Sequence, residues 1–279
     1  IYTNGNCTNL STYTWSTGET TESISVSPTE TTEYWVDVTT NGVTIRDTIT
    51  ITVNPTGTCP SSPYEWINYG TQDWTVENAE MVTYRDGTPI PQVTDATWSN
   101  LTTGAWCYYD NDPTKPILYN WYAVMGIHDA ASLSDATLRK ELAPEGWHVP
   151  SDEEWTALEN YLIANGYNYD GTTTGNKIAK AMASTTGWNS SPEAGAPGND
   201  QSLNNSSGFN AFPEGARSAN GSFFQEAGLA DFWSSTEYDI ISAFDRYLVN
   251  NSSYLHMMNY SKSSGTSVRF VRDETSLST

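Results

Sequence analysis

Between residues 54 and 63 the chain reads NPTGTCPSSP, three prolines and one glycine in ten residues. Proline lacks the backbone N–H that helix and sheet interiors use, and it biases the preceding residue toward extended backbone, so no continuous element can cross this stretch. The expected organisation is a module over 1–54, a linker over 55–63, a compact unit over 64–273 and a tail over 274–279. The compact unit carries nine of the eleven tryptophans, which places the large core there.

The first module reads as strands. Polar and apolar residues alternate through Thr48, Ile49, Thr50, Ile51, Thr52 and Val53, the period of a half-buried strand. Strands are expected over 12–15, 22–26, 33–39 and 43–53, with turns at Thr17-Gly18, Ser27-Pro28 and Asn41-Gly42. The run TWSTGETTESISVSPTETTEYWVDV resembles the immunoglobulin-like or PKD-like repeats of secreted bacterial surface proteins. About 55 residues is short against the roughly 100 of a full sandwich. The expectation is therefore a small all-β sandwich, incomplete without an upstream part or a neighbour, acting as a spacer.

In the second unit Ser151 and Glu154 form a capping box, with Trp155, Leu158, Tyr161 and Leu162 on one face behind it and a stop at Asn165-Gly166. Shorter helices are expected over 135–142, where Leu138 and Leu142 share a face, and over 177–183. Long Gly, Ser and Asn loops fill 184–207.

Lys and Arg number 12 against 33 Asp and Glu, a net charge of −21. Such a surface repels phosphate and anionic lipid, so nucleic acid and membrane headgroups are excluded as expected partners, and solubility is the plainest use of the charge. No run of 18 apolar residues exists, so direct membrane insertion is not expected, and the chain reads as a mature form or fragment of a longer protein. Cys7, Cys59 and Cys107 are odd in number and too far apart for a CxxC motif. A Cys7–Cys59 bridge stays open, because sequence spacing does not show whether the two come close.

Several motifs then stand in order: WTVENAEMVTYRDGTPIP from Trp74, TTGAWCYYDND from Thr102, LYNWYAV from Leu118, GWHVPSDEEWTAL from Gly146, GFNAFPEGAR from Gly208, FWSSTEYD from Phe232 and TSVRFVRD from Thr266. Together they resemble the Fibrobacter succinogenes major paralogous domain family. The resemblance implies an α+β, C-type-lectin-like fold related to formylglycine-generating-enzyme-like domains, on secreted or cell-surface proteins of Bacteroidetes and related bacteria. Related folds are binding heads diversified by retroelements near the C-terminus. The family commonly has cysteines where this chain has Ala143 and Phe270, so an apolar contact is expected in place of a disulfide.

Enzymatic chemistry finds little footing. Formylglycine-type oxidation needs a reactive thiol pair or thiolate-bound copper, and Cys107 between Trp106 and Tyr108 reads as a buried thiol. His128, His148 and His256 lack metal spacing, and His148 reads as a hydrogen-bonded structural residue. Asp152, Glu153 and Glu154 suit a helix first turn. No cofactor is expected. Asp110, Asn111, Asp112, Asn199 and Asp200 leave room for a structural calcium ion, although no Glu-Pro-Asn or Gln-Pro-Asp sugar-lectin signature is present.

Binding fits better. Residues 232–273 set Ile240, Ile241, Phe244, Tyr254, Leu255, Met257, Met258 and Tyr260 among turn formers. Strands are expected over 243–249, 253–258 and 266–271, with turns at Asn250-Asn251 and 263–265. In the family, the positions resembling Ala243, Arg246 and Leu248 look fixed and those between them changeable. Ala243, Leu248, Val268 and Val271 are thus expected to support the fold. Asp239, Ile240, Ile241, Ser242, Phe244, Asp245, Tyr247, Tyr254, His256, Met258 and Tyr260 are expected to project outward as a ligand surface. The competing reading is that alternate residues of these strands fill a core. The expected partner is a protein or glycan on another cell or surface. The alternatives are a self-assembling filament subunit and a relict formylglycine-generating-type enzyme.

Overall fold

A computed structural model describes residues 11–26, 28, 32–51 and 64–273. Cys7, Cys59, the linker over 55–63 and the tail over 274–279 lie outside the described residues. The chain divides into two compact units, residues 1–60 and 61–279.

In the first unit, β1 (Thr12–Trp15), β2 (Thr32–Thr40) and β3 (Val43–Ile51) form one antiparallel sheet in that order. Thr40 pairs with Val43 across Asn41-Gly42, whose φ values of 54° and 78° are those of a tight hairpin turn. The expected strand over 22–26 does not form. There the Trp15 indole donates to the Thr21 carbonyl and the Thr21 hydroxyl to the Ser23 carbonyl, local bonds that compete with ladder pairing. Among the described residues this unit is a single sheet rather than a sandwich, with Val43, Ile45 and Ile49 on β3 more than half exposed.

The second unit is α+β, mostly sheet with few helices. In chain order it contains β4 (Trp66–Tyr69), β5 (Gln72–Thr75), β6 (Trp106–Tyr108), β7 (Ile117–Asn120), α1 (Trp121–Val124), α2 (Ala130–Ser134), α3 (Asp152–Ala164) and α4 (Ala179–Met182). It continues with β8 (Ala216–Arg217), β9 (Phe223–Phe224), β10 (Leu229–Glu237), β11 (Ser242–Val249), β12 (His256–Ser261), β13 (Gly265–Thr266) and β14 (Val271–Asp273). The strands pair antiparallel in three sheets, ordered β14-β5-β4, β6-β7-β13-β8-β9 and β10-β11-β12.

Helix α3 forms as its caps dictate. Ser151 accepts from the Glu154 N–H, and the Glu154 carboxylate takes the Ser151 N–H at 2.7 Å and His148 Nε2 at 2.5 Å, so His148 is the hydrogen-bonded residue its motif suggested. Asn165 is the C-cap, and Gly166 follows at φ 79°. The buried face of α3, Trp155, Leu158 and Leu162, packs with Trp74, Phe209, Phe232 and Leu248, the Trp74 and Trp155 rings lying 4.6 Å apart. A second core holds Tyr119, Trp121, Trp147 and Trp233, and in it Ala143 and Phe270 are both buried.

Other expected helices shorten or move. Asp135 accepts from the backbone and hydroxyl of Thr137, which ends α2 and opens a single 3-10 turn, so no helix spans 135–142 and Leu138 is left half-exposed. The 177–183 helix is reduced to the one turn of α4. The expected strand over 266–271 splits into β13 and β14, because the backbone between them bonds elsewhere: Ala79 N–H to the Val268 carbonyl, Thr75 N–H to the Phe270 carbonyl.

The β10-β11-β12 sheet lies against α3 through one buried guanidinium. Arg246, 4% exposed, donates to Asp152 Oδ1 at 2.6 Å, Thr156 Oγ1 at 3.0 Å and Glu159 Oε2 at 3.2 Å. Removing one partner of a buried ion pair strands the other charge. Arg246→Ala is expected to lower the unfolding free energy by roughly 3 kcal/mol in urea titration; a loss below about 1 kcal/mol, the scale of a surface pair, would show that the clamp contributes no more than one.

Candidate functional site

Side chains alternate across a strand, and the register states which of them meet. Asp231 pairs with Tyr247 and Trp233 with Asp245; Tyr247 pairs with His256, Asp245 with Met258, and Ala243 with Tyr260. All of these share one face of the sheet. The other face carries Ala230, Phe232 and Leu248 into the α3 core, together with the Arg246 clamp. At one end of the first face Trp233 and Ala243 enter the second core, where the Trp233 indole donates to the Tyr119 carbonyl at 2.8 Å.

Beyond Trp233 the same face opens into a groove of about 560 Å³. Asp231 and Asp245 form its floor, with Leu229, Val249 and Met258 beside them and Phe224, Tyr247, His256 and Tyr260 as aromatic walls. Tyr247 and His256 stack at 4.8 Å with 13° between planes, and Tyr254 meets His256 edge-on at 5.9 Å. His256 Nε2 lies 2.7 Å from Ser252 Oγ, and burial lowers its pKa, which favours the neutral ring.

The floor is electrostatically unusual. Asp231 and Asp245 are 4% and 1% exposed, and among the described residues neither Oδ1 atom has a hydrogen-bond partner. Burial pushes the Asp231 carboxyl well above the ordinary range, and the charge of Asp245 beside it adds to the effect. Burial likewise raises Asp245, to about 7. Two adjacent buried carboxyls cannot both ionise cheaply, so the pair retains a proton at a pH where ordinary aspartates have lost theirs.

A second cavity of similar volume lies beside Glu77, Glu80, Glu214 and Arg269, but its buried charges are satisfied. Arg269 donates to Asn78 and to the carbonyls of Thr75, Phe209 and Asn210, while Glu214 accepts from Asn78 and Ser267. Of these two cavities, the sheet groove is the one with buried carboxyl oxygens that lack a partner among the described residues. Of the residues considered for calcium, Asn199 and Asp200 give their carbonyls to the Lys180 ammonium, which also takes Asn204 Oδ1, and Asp112 accepts from Thr114. Among the described residues no three His, Cys, Asp or Glu side chains converge to hold a metal ion.

Residues 67–272 match the Fibrobacter succinogenes major domain. The chain belongs to that family. Neither the curated proteins nor the solved structures gave a match.

Within the major domain, five of the residues expected at the ligand surface line the groove: Asp245, Tyr247, His256, Met258 and Tyr260. Tyr254 stands at its edge, half-exposed. Asp245 is a correction, since it was expected to project outward and is instead buried on the floor. Phe244 is another, because it sits on the opposite face against Tyr238, ring centroids 5.2 Å apart. Asp239, Ile240 and Ile241 lie in the β10–β11 loop, with Ile240 88% exposed, and Ser242 opens β11. There Asp239 accepts from the N–H groups of Ile241 and Ser242, and buried Lys262 holds the base through Glu237 and the Ile240 carbonyl. The strand expected over 253–258 is β12, His256–Ser261, which places Met257 and Met258 on opposite faces. Sequence reading missed Asp231; its signal was an acid inside the apolar run LADFW.

Both floor carboxyls titrate above their unfolded values near 4, so the stability they contribute is full below that pH and is lost as pH rises through their folded values. Asp245→Asn removes the loss. The variant's stability relative to wild type is expected to rise from pH 4 to pH 8, by on the order of 1–3 kcal/mol in urea unfolding. Parallel pH profiles for the two proteins would refute the retained proton.

Proposed function

We propose that the major domain is the non-catalytic binding head of a secreted or cell-surface adhesion protein, built as a C-type-lectin-like fold, and that the first unit is an immunoglobulin-like spacer. The observation carrying this reading is the groove: an open concavity with aromatic walls, a thioether side and polar atoms on its floor that lack partners among the described residues. Aromatic and methionine side chains offer large contact area at small entropic cost, the chemistry of a recognition surface. The ligand is a protein or glycan on another cell or surface.

The fate of Cys107 supports a binding role over oxidation chemistry. It is fully buried in β6 and burial raises its thiol pKa, whereas a reactive cysteine needs an accessible thiolate. A second reading has its own observation: Ile240 and Ile241 are 88% and 68% exposed on one loop, with Tyr238 and Met257 also at least half exposed, which suits packing between copies in a surface filament.

The two readings separate by site. In protein and glycan array binding, Tyr247→Ser with Met258→Ser is expected to weaken the captured ligand by roughly tenfold or more while Ile240→Ser with Ile241→Ser leaves it within about twofold. Unchanged binding by a folded groove variant would reject the groove. Concentration-dependent light scattering at micromolar protein, abolished by the loop variant, would favour assembly.

A further inference from the structure

We propose that the groove receives a protonated amine or guanidinium on an aliphatic stem, the chemistry of a lysine or arginine side chain, with Asp231 and Asp245 as its counter-charge. This rests on the groove being a binding site. The two floor carboxyls are more than nine-tenths buried and line the groove, and their Oδ1 atoms have no hydrogen-bond partner among the described residues. A buried acceptor without a donor is costly, and a ligand N–H removes that cost most fully when it also carries the opposite charge.

Other ligand chemistries fit less well. An anion would meet two acids and no lysine or arginine among the described residues lining the groove. A hard metal ion needs several converging oxygen ligands, and the walls are aromatic and thioether groups. A neutral sugar supplies donors but leaves the carboxylate charge uncompensated. Leu229, Val249 and Met258 suit a hydrocarbon stem. The net charge of −21 raises the local concentration of cations.

Cation binding displaces the proton that the carboxyl pair retains. The titratable groups facing them are Tyr247 from β11 and His256 and Tyr260 from β12. Arg246 is turned to Asp152 and Glu159 on the opposite face, and within the groove no cation competes among the described residues. Affinity for a cation therefore increases with pH until the floor is fully ionised.

The test uses the full chain, with Met258 methyl and His256 ring NMR signals reporting occupancy. The probes are acetyl-Gly-Lys-Gly-amide, its Arg and norleucine analogues, cadaverine as a free amine, and a neutral oligosaccharide, cellotriose. The Lys or Arg peptide is expected to shift these signals saturably and to bind at least about tenfold more tightly than the norleucine peptide. Calorimetry in buffers of different ionisation enthalpy should register proton release. Asp231→Asn with Asp245→Asn should erase the preference for the charged peptide, and the wild-type comparison stands even if that variant does not fold. Cadaverine binding as tightly as the peptide would make the ligand a free amine and still support the assignment; weaker binding would point to a protein side chain. Equal affinity for norleucine and lysine peptides, or no proton release, would overturn the assignment. If cellotriose alone shifts the signals, the groove reading stands and the cation assignment fails. If no probe shifts them, both fail.

Discussion

Arg246 lies between α3 and the middle strand of its sheet, and its three acceptors all belong to that helix. Because successive side chains on a strand point to opposite faces, turning Arg246 inward turns Asp245 and Tyr247 the other way. A slip of one residue would bury Tyr247 against α3 and leave the guanidinium in the groove. The clamp also works with the cap of α3, since Asp152 holds Arg246 through its carboxylate while its own N–H donates to Thr236 at the end of β10. Helix start, sheet register and groove floor are thus one coupled arrangement.

The way buried charge is treated elsewhere in the domain sets the groove apart. Lys180, Arg217, Lys262 and Arg269 are all buried, and each donates to carbonyl or carboxylate oxygens placed around it. Arg217 and Arg269 also lie over aromatic rings, 4.3 Å from Trp98 and 4.6 Å from Phe209. These are structural cations, desolvated and compensated. Asp231 and Asp245 are desolvated to the same degree with Oδ1 atoms uncompensated. Such a defect lowers stability at neutral pH, and functional surfaces are where a fold tolerates that cost.

Much of the architecture was legible beforehand because its determinants are local. The capping box at Ser151, the stop at Asn165-Gly166 and the hairpin at Asn41-Gly42 each act within a few residues. The strand expected over 22–26 and the helix over 135–142 failed for an equally local reason, side-chain bonds from Trp15, Thr21 and Asp135 that diverted the backbone. At the site, residue types were easier to read than directions. Tyr247, His256, Met258 and Tyr260 were picked out as contact groups, whereas the period of β11 was misread around Phe244 and Asp245. The misreading arose because β11 is covered on both faces for part of its length, so its burial does not alternate cleanly.

The amino-acid sequence by itself determined the family, the main helix and the concentration of aromatic and methionine groups near the C-terminus, since motifs and caps are short-range signals. Only the tertiary structure decided that Asp231 and Asp245, distant in sequence and each unremarkable alone, share a dry floor. That pairing comes from strand register and from the opposing pull of Arg246 toward α3, and register is a property of two strands together, which no single stretch of chain encodes.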